Sequence, residues 1–220
     1  MFKHQHPYPP YIPQNTKKLI IGTLPPPRFT TGDLKPGDVD FCYGSRDGQL
    51  WQIIDIIYGL NLKYENTGHA ILQRKDFLKE HKIGICDMVE CADRDKIDAS
   101  DAGIQNAILR PIIQLLEENP SIDTLLFTGG NSKNGPEYFF RKHIKDYPQI
   151  QLKREDESIP KVHYFKLGKR TIKTVSLTAP SGAANRAVGS MALYKKLKAE
   201  NPSMNTIDFR VIQYAPHFKS

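Results

Sequence analysis

The sequence predicts an α/β fold, a three-layer α/β/α sandwich with a mostly parallel central sheet. Three observations carry that prediction. Residues 18–22, 82–86 and 123–128 are short runs apolar almost throughout, as strands covered on both faces are. Segments with the apolar spacing of amphipathic helices lie between them. Glycines and prolines punctuate the joints, and alternating strands and helices make a sheet covered on both sides.

Taken in order, Pro7, Pro9, Pro10 and Pro13 make residues 1–16 an extended arm, and residues 17–220 read as a single domain. Residues 18–22 are the first strand, and Pro25-Pro26-Pro27 end regular structure after it. Residues 25–48 form a long loop, of a length that is usually functional or disordered in compact domains. Leu50, Ile53, Ile54 and Ile57 give a helix that stops at Gly59. A second helix over 69–81 carries Ile71, Leu72, Phe77 and Leu78, and a strand at 82–86 leads into a polar loop over 87–103. Ile108, Ile112, Leu115 and Leu116 share a helical face, with Pro111 as an alternative start. The strand at 123–128 stops at Gly129-Gly130, and Pro136 opens a helix with Phe139, Phe140 and Ile144. Residues 162–167 and 171–177 flank Gly168-Lys169-Arg170 as a hairpin. A helix over 183–199 follows, then a last element carrying Ile207, Phe209, Val211 and Ile212.

The chain has 220 residues and a formal net charge of +7. Such a balance favours an acidic partner, nucleic acid first, against the alternative of a merely basic surface. No apolar run approaches the ~20 residues needed to span a membrane. The first residues lack the basic-then-apolar layout of a signal peptide. Cys42, Cys86 and Cys91 are an odd set without zinc-ligand spacing, so a reducing cytoplasm is expected rather than a disulfide framework. The histidines are scattered and give no metal signature.

Ligands of such sheets bind beyond the carboxyl ends of the strands. Four segments fall there. In Gly22-Thr-Leu-Pro-Pro-Pro-Arg28 the glycine lets backbone approach a ligand, but the ending of a phosphate-cradling loop is missing. Phe41-Cys-Tyr-Gly-Ser-Arg-Asp-Gly-Gln-Leu-Trp51 sets aromatics, a base and a carboxylate before a helix. Phe41 and Trp51 read as core packing, while Tyr43 is either core or a stacking platform. Asp47 is either functional or a helix cap. Asp87 closes a buried strand, where a carboxylate needs a partner: a ligand N–H or a local one. The acidic residues after it, through Asp101, read as a solvated loop without calcium-loop order. In Thr178-Ala-Pro-Ser-Gly-Ala-Ala-Asn-Arg186, Ser181 stands at a helix start, as an N-cap or a phosphate contact. Lys161, Lys166, Lys169, Arg170 and Lys173 form a basic hairpin suited to a phosphate backbone, or simply a solvated face.

These segments, in this order, resemble the uracil-DNA glycosylase superfamily, nearest to its mismatch-specific and hypoxanthine-directed branches. Gly22-Thr-Leu-Pro25 is similar to its first motif, and Tyr43 through Leu50-Trp51 to its aromatic run into a helix. Asp87 matches the strand-end residue that reads the base edge, and Ala179-Pro-Ser-Gly182 the last motif. The resemblance runs from about residue 7 to about 195. Three positions depart from it: Leu24 replaces the water-activating residue, Gly48 an Asn, and Ala179 a His or Asn.

The resemblance implies a monofunctional DNA glycosylase of base-excision repair, acting on a deaminated or damaged base of uracil or hypoxanthine type. Its partner is DNA, and it implies a cytoplasmic monomer with no cofactor and no metal. The base is flipped out and held. Tyr43 stacks, Asp87 accepts from a base N–H, the backbone after Gly22 and Thr23 meets a base carbonyl, and Ser181 and Asn185 clamp a phosphate. Lys166, Lys169, Arg170 and Arg186 meet the DNA backbone. Asp47, beside Gly48, is the carboxylate expected to face the cationic sugar or position water. The alternative from another class is a catalytically silent nucleic-acid-binding protein on the same fold.

Overall fold

The structure is a computed structural model that describes residues 1–98 and 100–219. Its strands are β1 (Phe2–Gln5), β2 (Lys18–Gly22), β3 (Ile83–Asp87), β4 (Val89–Arg94), β5 (Gln105–Leu109), β6 (Thr124–Phe127), β7 (Lys153–Arg154), β8 (Lys161–Leu167) and β9 (Arg170–Ser176). Its α-helices are α1 (Pro27–Thr31), α2 (Leu50–Tyr58), α3 (Gly68–Glu80), α4 (Ile112–Glu118), α5 (Pro136–His143), α6 (Asn185–Ser190), α7 (Ala192–Glu200) and α8 (Thr206–Lys219).

The central sheet has the order β3-β2-β6-β9-β8-β7. Its first four strands are parallel, and β8 and β7 complete it antiparallel. Successive residues of a strand face opposite sides. Ile20, Leu126 and Val175 therefore enter one core with Leu50, Ile53, Phe77 and Tyr214. Leu19, Ile21, Leu125 and Phe127 enter a second core with Ile112, Leu116, Phe139 and Phe140. That is the expected three-layer α/β/α sandwich. Register fixes the functional edge: Gly22 pairs with Asp87, Ile21 with Phe127, and Phe127 with Ser176. The chain turns out of the sheet beyond that row at four adjacent places.

The structure departs from the sequence reading at several elements. Pro27 opens the short α1 at the first helical position, where a fixed φ and a missing N–H cost nothing. The segment 87–103 is not all loop: Val89, Cys91 and Ala92 are buried in β4, which pairs with β1 and β5 as a small antiparallel sheet. Ile108 lies exposed on β5, and the helix begins only after Pro111. In α3 the buried face is Ala70, Arg74, Phe77 and Leu78, and Leu72 points outward. The helix expected over 183–199 breaks at Met191, which is extended, after the weak formers Gly189 and Ser190. The arm is tied down: Phe2 to Gln5 pair with β4, and Tyr11 bridges Ile85. No helix among the described residues is long and apolar enough to cross a membrane.

Arg210 on α8 is fully buried and locks the last loop onto the sheet edge. Its Nε donates to the Ala179 carbonyl at 2.9 Å, and Nη2 donates to the Ser181 carbonyl at 3.2 Å. Nη1 donates to Gln49 Oε1 and Asn185 Oδ1, both at 2.9 Å. All these acceptors are neutral. Replacing Arg210 with Ala strands several of them, each at about 1–3 kcal/mol. Arg210→Ala is therefore expected to lose at least about 3 kcal/mol in urea unfolding. Arg210→Lys is expected to recover less than half of that, because an ammonium cannot fork to four acceptors.

Candidate active site

The turns after β2, β3, β6 and β9 enclose a cavity of about 760 Å³, within the usual size of small-ligand sites. Leu24, Pro25, Pro26 and Phe29 form its apolar wall. Thr23, Tyr43, Asp87, Asp101 and Thr128 supply polar groups, and Asp47, Gly48 and Ser181 line it from the loops that meet across it. Gly48 bridges Ser181, and the Gln49 amide donates to the Pro180 carbonyl at 2.9 Å, so those two loops are tied together.

Tyr43 adopts a left-handed backbone at φ +57°, uncommon for a non-glycine residue. That turn brings its hydroxyl to Thr128 Oγ1 at 2.8 Å. Gly22 makes the approach possible, since a Cβ there would collide with the Tyr43 hydroxyl and Asp87 Oδ1. Burial, with the nearby Asp87 charge, pushes the phenol well above its ordinary range, so Tyr43 stays neutral. Its hydroxyl is engaged, which leaves the ring as the surface it offers the cavity.

Asp87 has a local partner. The Tyr8 amide donates to His6 Nδ1 at 3.0 Å, which leaves the proton on Nε2. Nε2 then donates to Asp87 Oδ2 at 2.8 Å. The arm thus supplies the partner that a buried strand-end carboxylate requires. The second oxygen, Oδ1, lies on the Gly22 and Tyr43 side.

Asp47 sits at the lip, with its side chain 68% exposed, 3.2 Å from Arg28 Nη2. It caps nothing: Gln49 holds the N-cap position of α2, and no side chain caps that helix. Arg28 is already held by Asp38 through contacts at 2.7 and 2.8 Å. Burial works against the Asp38 charge, but Arg28 and the amides of Arg46 and Lys35 hold its carboxyl down at about 2.

Other expected site residues are not brought together. Asn185 does not line the cavity, because its Oδ1 accepts from Arg210 and from Thr206 Oγ1 behind it. Ser181 lines the cavity, and its side chain makes no cap hydrogen bond. Arg186 is exposed, two residues beyond the lip at Ala184. The basic hairpin lies at the other end of β9, about 20 Å away at ~3.3 Å per residue. There Arg170 donates to the carbonyls of Leu116, Pro120 and Ile122, and Lys166 donates to Thr171. Arg170 is thus a structural clamp.

Asp101, read from the sequence as part of a solvated loop, folds into the cavity instead. The Arg94 guanidinium, 1% exposed, donates to the Ser100 carbonyl at 2.6 Å. Asn134 Nδ2 donates to the Asp101 carbonyl at 2.8 Å. The backbone is pinned on both sides, and Thr23 Oγ1 donates to the carboxylate at 3.3 Å. Burial pushes this carboxyl up to about 6, against the pull of Arg94 and Thr23 and with a further push from Asp87. Nothing in the run of aspartates set Asp101 apart, since its distinction comes from Arg94 and Asn134 behind it.

This order of strands and turns has solved counterparts. A candidate uracil DNA glycosylase from Methanosarcina acetivorans, solved in solution by NMR, superposes with a TM-score of 0.54 at 17% identity. The match covers 95% of this chain and 99% of that one. The chain has the uracil-DNA glycosylase fold. In sequence it is 28% identical over 125 residues to a hypoxanthine DNA glycosylase of Methanosarcina barkeri, covering 57% of this chain and 71% of that protein. No protein-family model matches the chain. The fold and the sequence match together bear out the resemblance to the uracil-DNA glycosylase superfamily.

The raised carboxyl of Asp101 has a stability consequence. A folded value near 6 against an ordinary 3.8 means that the folded state resists ionisation. Stability is therefore lost as pH rises from about 4 to about 6, at most ~3 kcal/mol in all. Asp101→Asn lacks that loss. Its melting temperature is expected to exceed the parent's at pH 7.5, with the advantage fading toward pH 4. A constant difference across that range would show that the carboxyl is not desolvated.

Proposed function

We propose that the chain is a monofunctional DNA glycosylase. It hydrolyses the N-glycosidic bond of a deaminated or damaged base, of uracil or hypoxanthine type, in base-excision repair. It works on DNA in the cytoplasm as a monomer, without cofactor or metal, through the 17–220 domain with the arm as its support. The observation that carries this reading is Asp87: a carboxylate acceptor, fixed by His6, beside the ring of Tyr43 in a cavity with room for a nucleoside. A lactam N–H, as in hypoxanthine or uracil, suits that acceptor, and the Tyr43 ring suits a base face at about 1–3 kcal/mol.

The flipped nucleotide enters with its base toward Asp87 and its sugar toward the lip. Amides after Gly22 meet a base carbonyl and relieve charge on the departing base. Ser181 and the exposed Arg186 take phosphates. Lysine is absent from the cavity lining, which fits water as the nucleophile rather than a Schiff base. The carboxylate that faces the sugar is one of the two on the wall that do not hold the base, Asp47 or Asp101.

A panel of duplexes carrying hypoxanthine, uracil, xanthine or an alkylated base tests the proposal. Alkali-labile abasic sites are expected with hypoxanthine or uracil, and Asp87→Asn is expected to change the ranking while melting like the parent. Salt-sensitive binding with no abasic site on any duplex would leave the silent binder instead. Arg186→Ala is expected to reduce the slope of log affinity against log salt by about 0.9. Changing Lys166, Lys169 and Arg170 together is expected to leave that slope unchanged, because the hairpin is at the far end of the sheet.

A further inference from the structure

Among the carboxylates of the cavity, each is committed differently. Asp87 is bound to His6. Asp47 is mostly exposed and paired with Arg28. Asp101 is enclosed, with Thr23 Oγ1 as the one hydrogen-bond partner of its carboxylate among the described residues. Thr23 directly precedes Leu24, whose side chain packs against the second core and cannot orient water. The carboxylate therefore lies against the very turn that lacks one. Its main chain is pinned by Arg94 through Ser100 and by Asn134, as a group that must hold one geometry requires.

We infer that Asp101, not Asp47, is the catalytic carboxylate, a role that rests on the glycosylase reading above. Its ionised form opposes the cationic sugar and orients the attacking water. The water oxygen bonds to C1′ as the C1′–N bond breaks, and that bond's electron pair leaves with the base. One water proton passes to Asp101 and returns to solvent, and the departing base takes a proton from solvent. Thr23 fixes the carboxylate by its hydroxyl. A desolvated carboxylate is worth more against a cation than an exposed one, which favours Asp101 over Asp47.

The groups facing Asp101 set its pH behaviour. Arg94 approaches from β4 with Asp98 near it, Asp87 from the end of β3 with His6 behind it, and Thr23 and Asn134 are neutral. Its carboxyl sits near 6 in this setting. Activity is thus expected to rise about tenfold per pH unit below 6 and to level off above 7.

Two measurements separate this role from the glycosylase reading itself. The first is single-turnover cleavage of the best duplex by parent, Asp101→Asn and Asp47→Asn between pH 5 and 8. Asp101→Asn is expected to lose 100-fold or more and to flatten the pH profile, while Asp47→Asn stays within about fivefold of the parent. The second compares affinity for duplexes carrying a cationic pyrrolidine or a neutral tetrahydrofuran abasic analogue. Asp101→Asn is expected to abolish the parent's preference for the cation while keeping the neutral affinity. A parent that cleaves, beside an Asp101→Asn variant with parental rate, profile and preference, overturns the assignment and leaves the glycosylase standing. A parent that neither cleaves nor prefers the cation overturns both. Loss of neutral-analogue binding together with a lowered melting temperature would mark Asp101 as structural and overturn it as well.

Discussion

A buried cation with only neutral acceptors holds the functional end of this molecule together. Arg210 gathers Gln49 at the start of α2, the carbonyls of Ala179 and Ser181, and Asn185 into one rigid junction. Without a carboxylate to answer it, its charge depends on those dipoles pointing inward, and that requirement fixes the loop's path. The other walls follow the same logic. Arg94 ties the turn carrying Asp101 to the small sheet, and Arg28 with Asp38 braces the loop carrying Tyr43 and Asp47. Three of the cavity's loops are each held from behind by a guanidinium bonded to backbone or to a low-lying carboxylate.

The N-terminal arm belongs to the same construction. His4 and His6 alternate along a strand direction, so both face the body of the domain. Arg94 Nε donates to His4 Nδ1 at 2.8 Å, and burial with the Arg94 charge lowers that imidazole to about 4. A neutral ring can accept from a guanidinium where an imidazolium could not. His6 lies two residues on and holds Asp87. The arm thereby sets both the clamp behind Asp101, from His4 on β1, and the proton donor on Asp87, from His6 just past it.

The parallel layers could be read from the sequence because both faces of those strands are apolar. Residues 18–22 and 123–128 carry that pattern, and Gly59 and Pro136 mark helix ends by backbone chemistry alone. The small sheet could not, because β4 mixes Glu90, Asp93 and Arg94 with buried Val89 and Cys91, and Arg94 is accommodated there by His4 from the distant arm. Tyr43 and Asp87 could be named because each sits beside a turn that has to face the cavity. Asp101 and the structural task of Arg170 could not, since both depend on groups distant in sequence: Asn134 for the one and Leu116 for the other. Local pattern locates turns, whereas long-range hydrogen bonds decide which turn residue is turned inward.

Asp87 and Asp101 share one cavity, and each charge opposes the other. Burial is the main cause of the raised Asp101 carboxyl, and the Asp87 charge adds a smaller push in the same direction. A base that gives its N–H to Asp87 answers part of that negative charge. The field at Asp101 then falls, and its ionised form becomes easier to hold. A base that lacks the N–H leaves that push on Asp101 in place. On the proposed glycosylase reading, the hydrogen bond from the base to Asp87 also lightens the charge that Asp101 faces. That coupling needs no movement of the chain, only two carboxylates held at fixed positions by the arm, Arg94 and Asn134. It also gives His6 its place: held by the Tyr8 amide, it occupies Asp87 Oδ2 and leaves Oδ1 on the Gly22 and Tyr43 side.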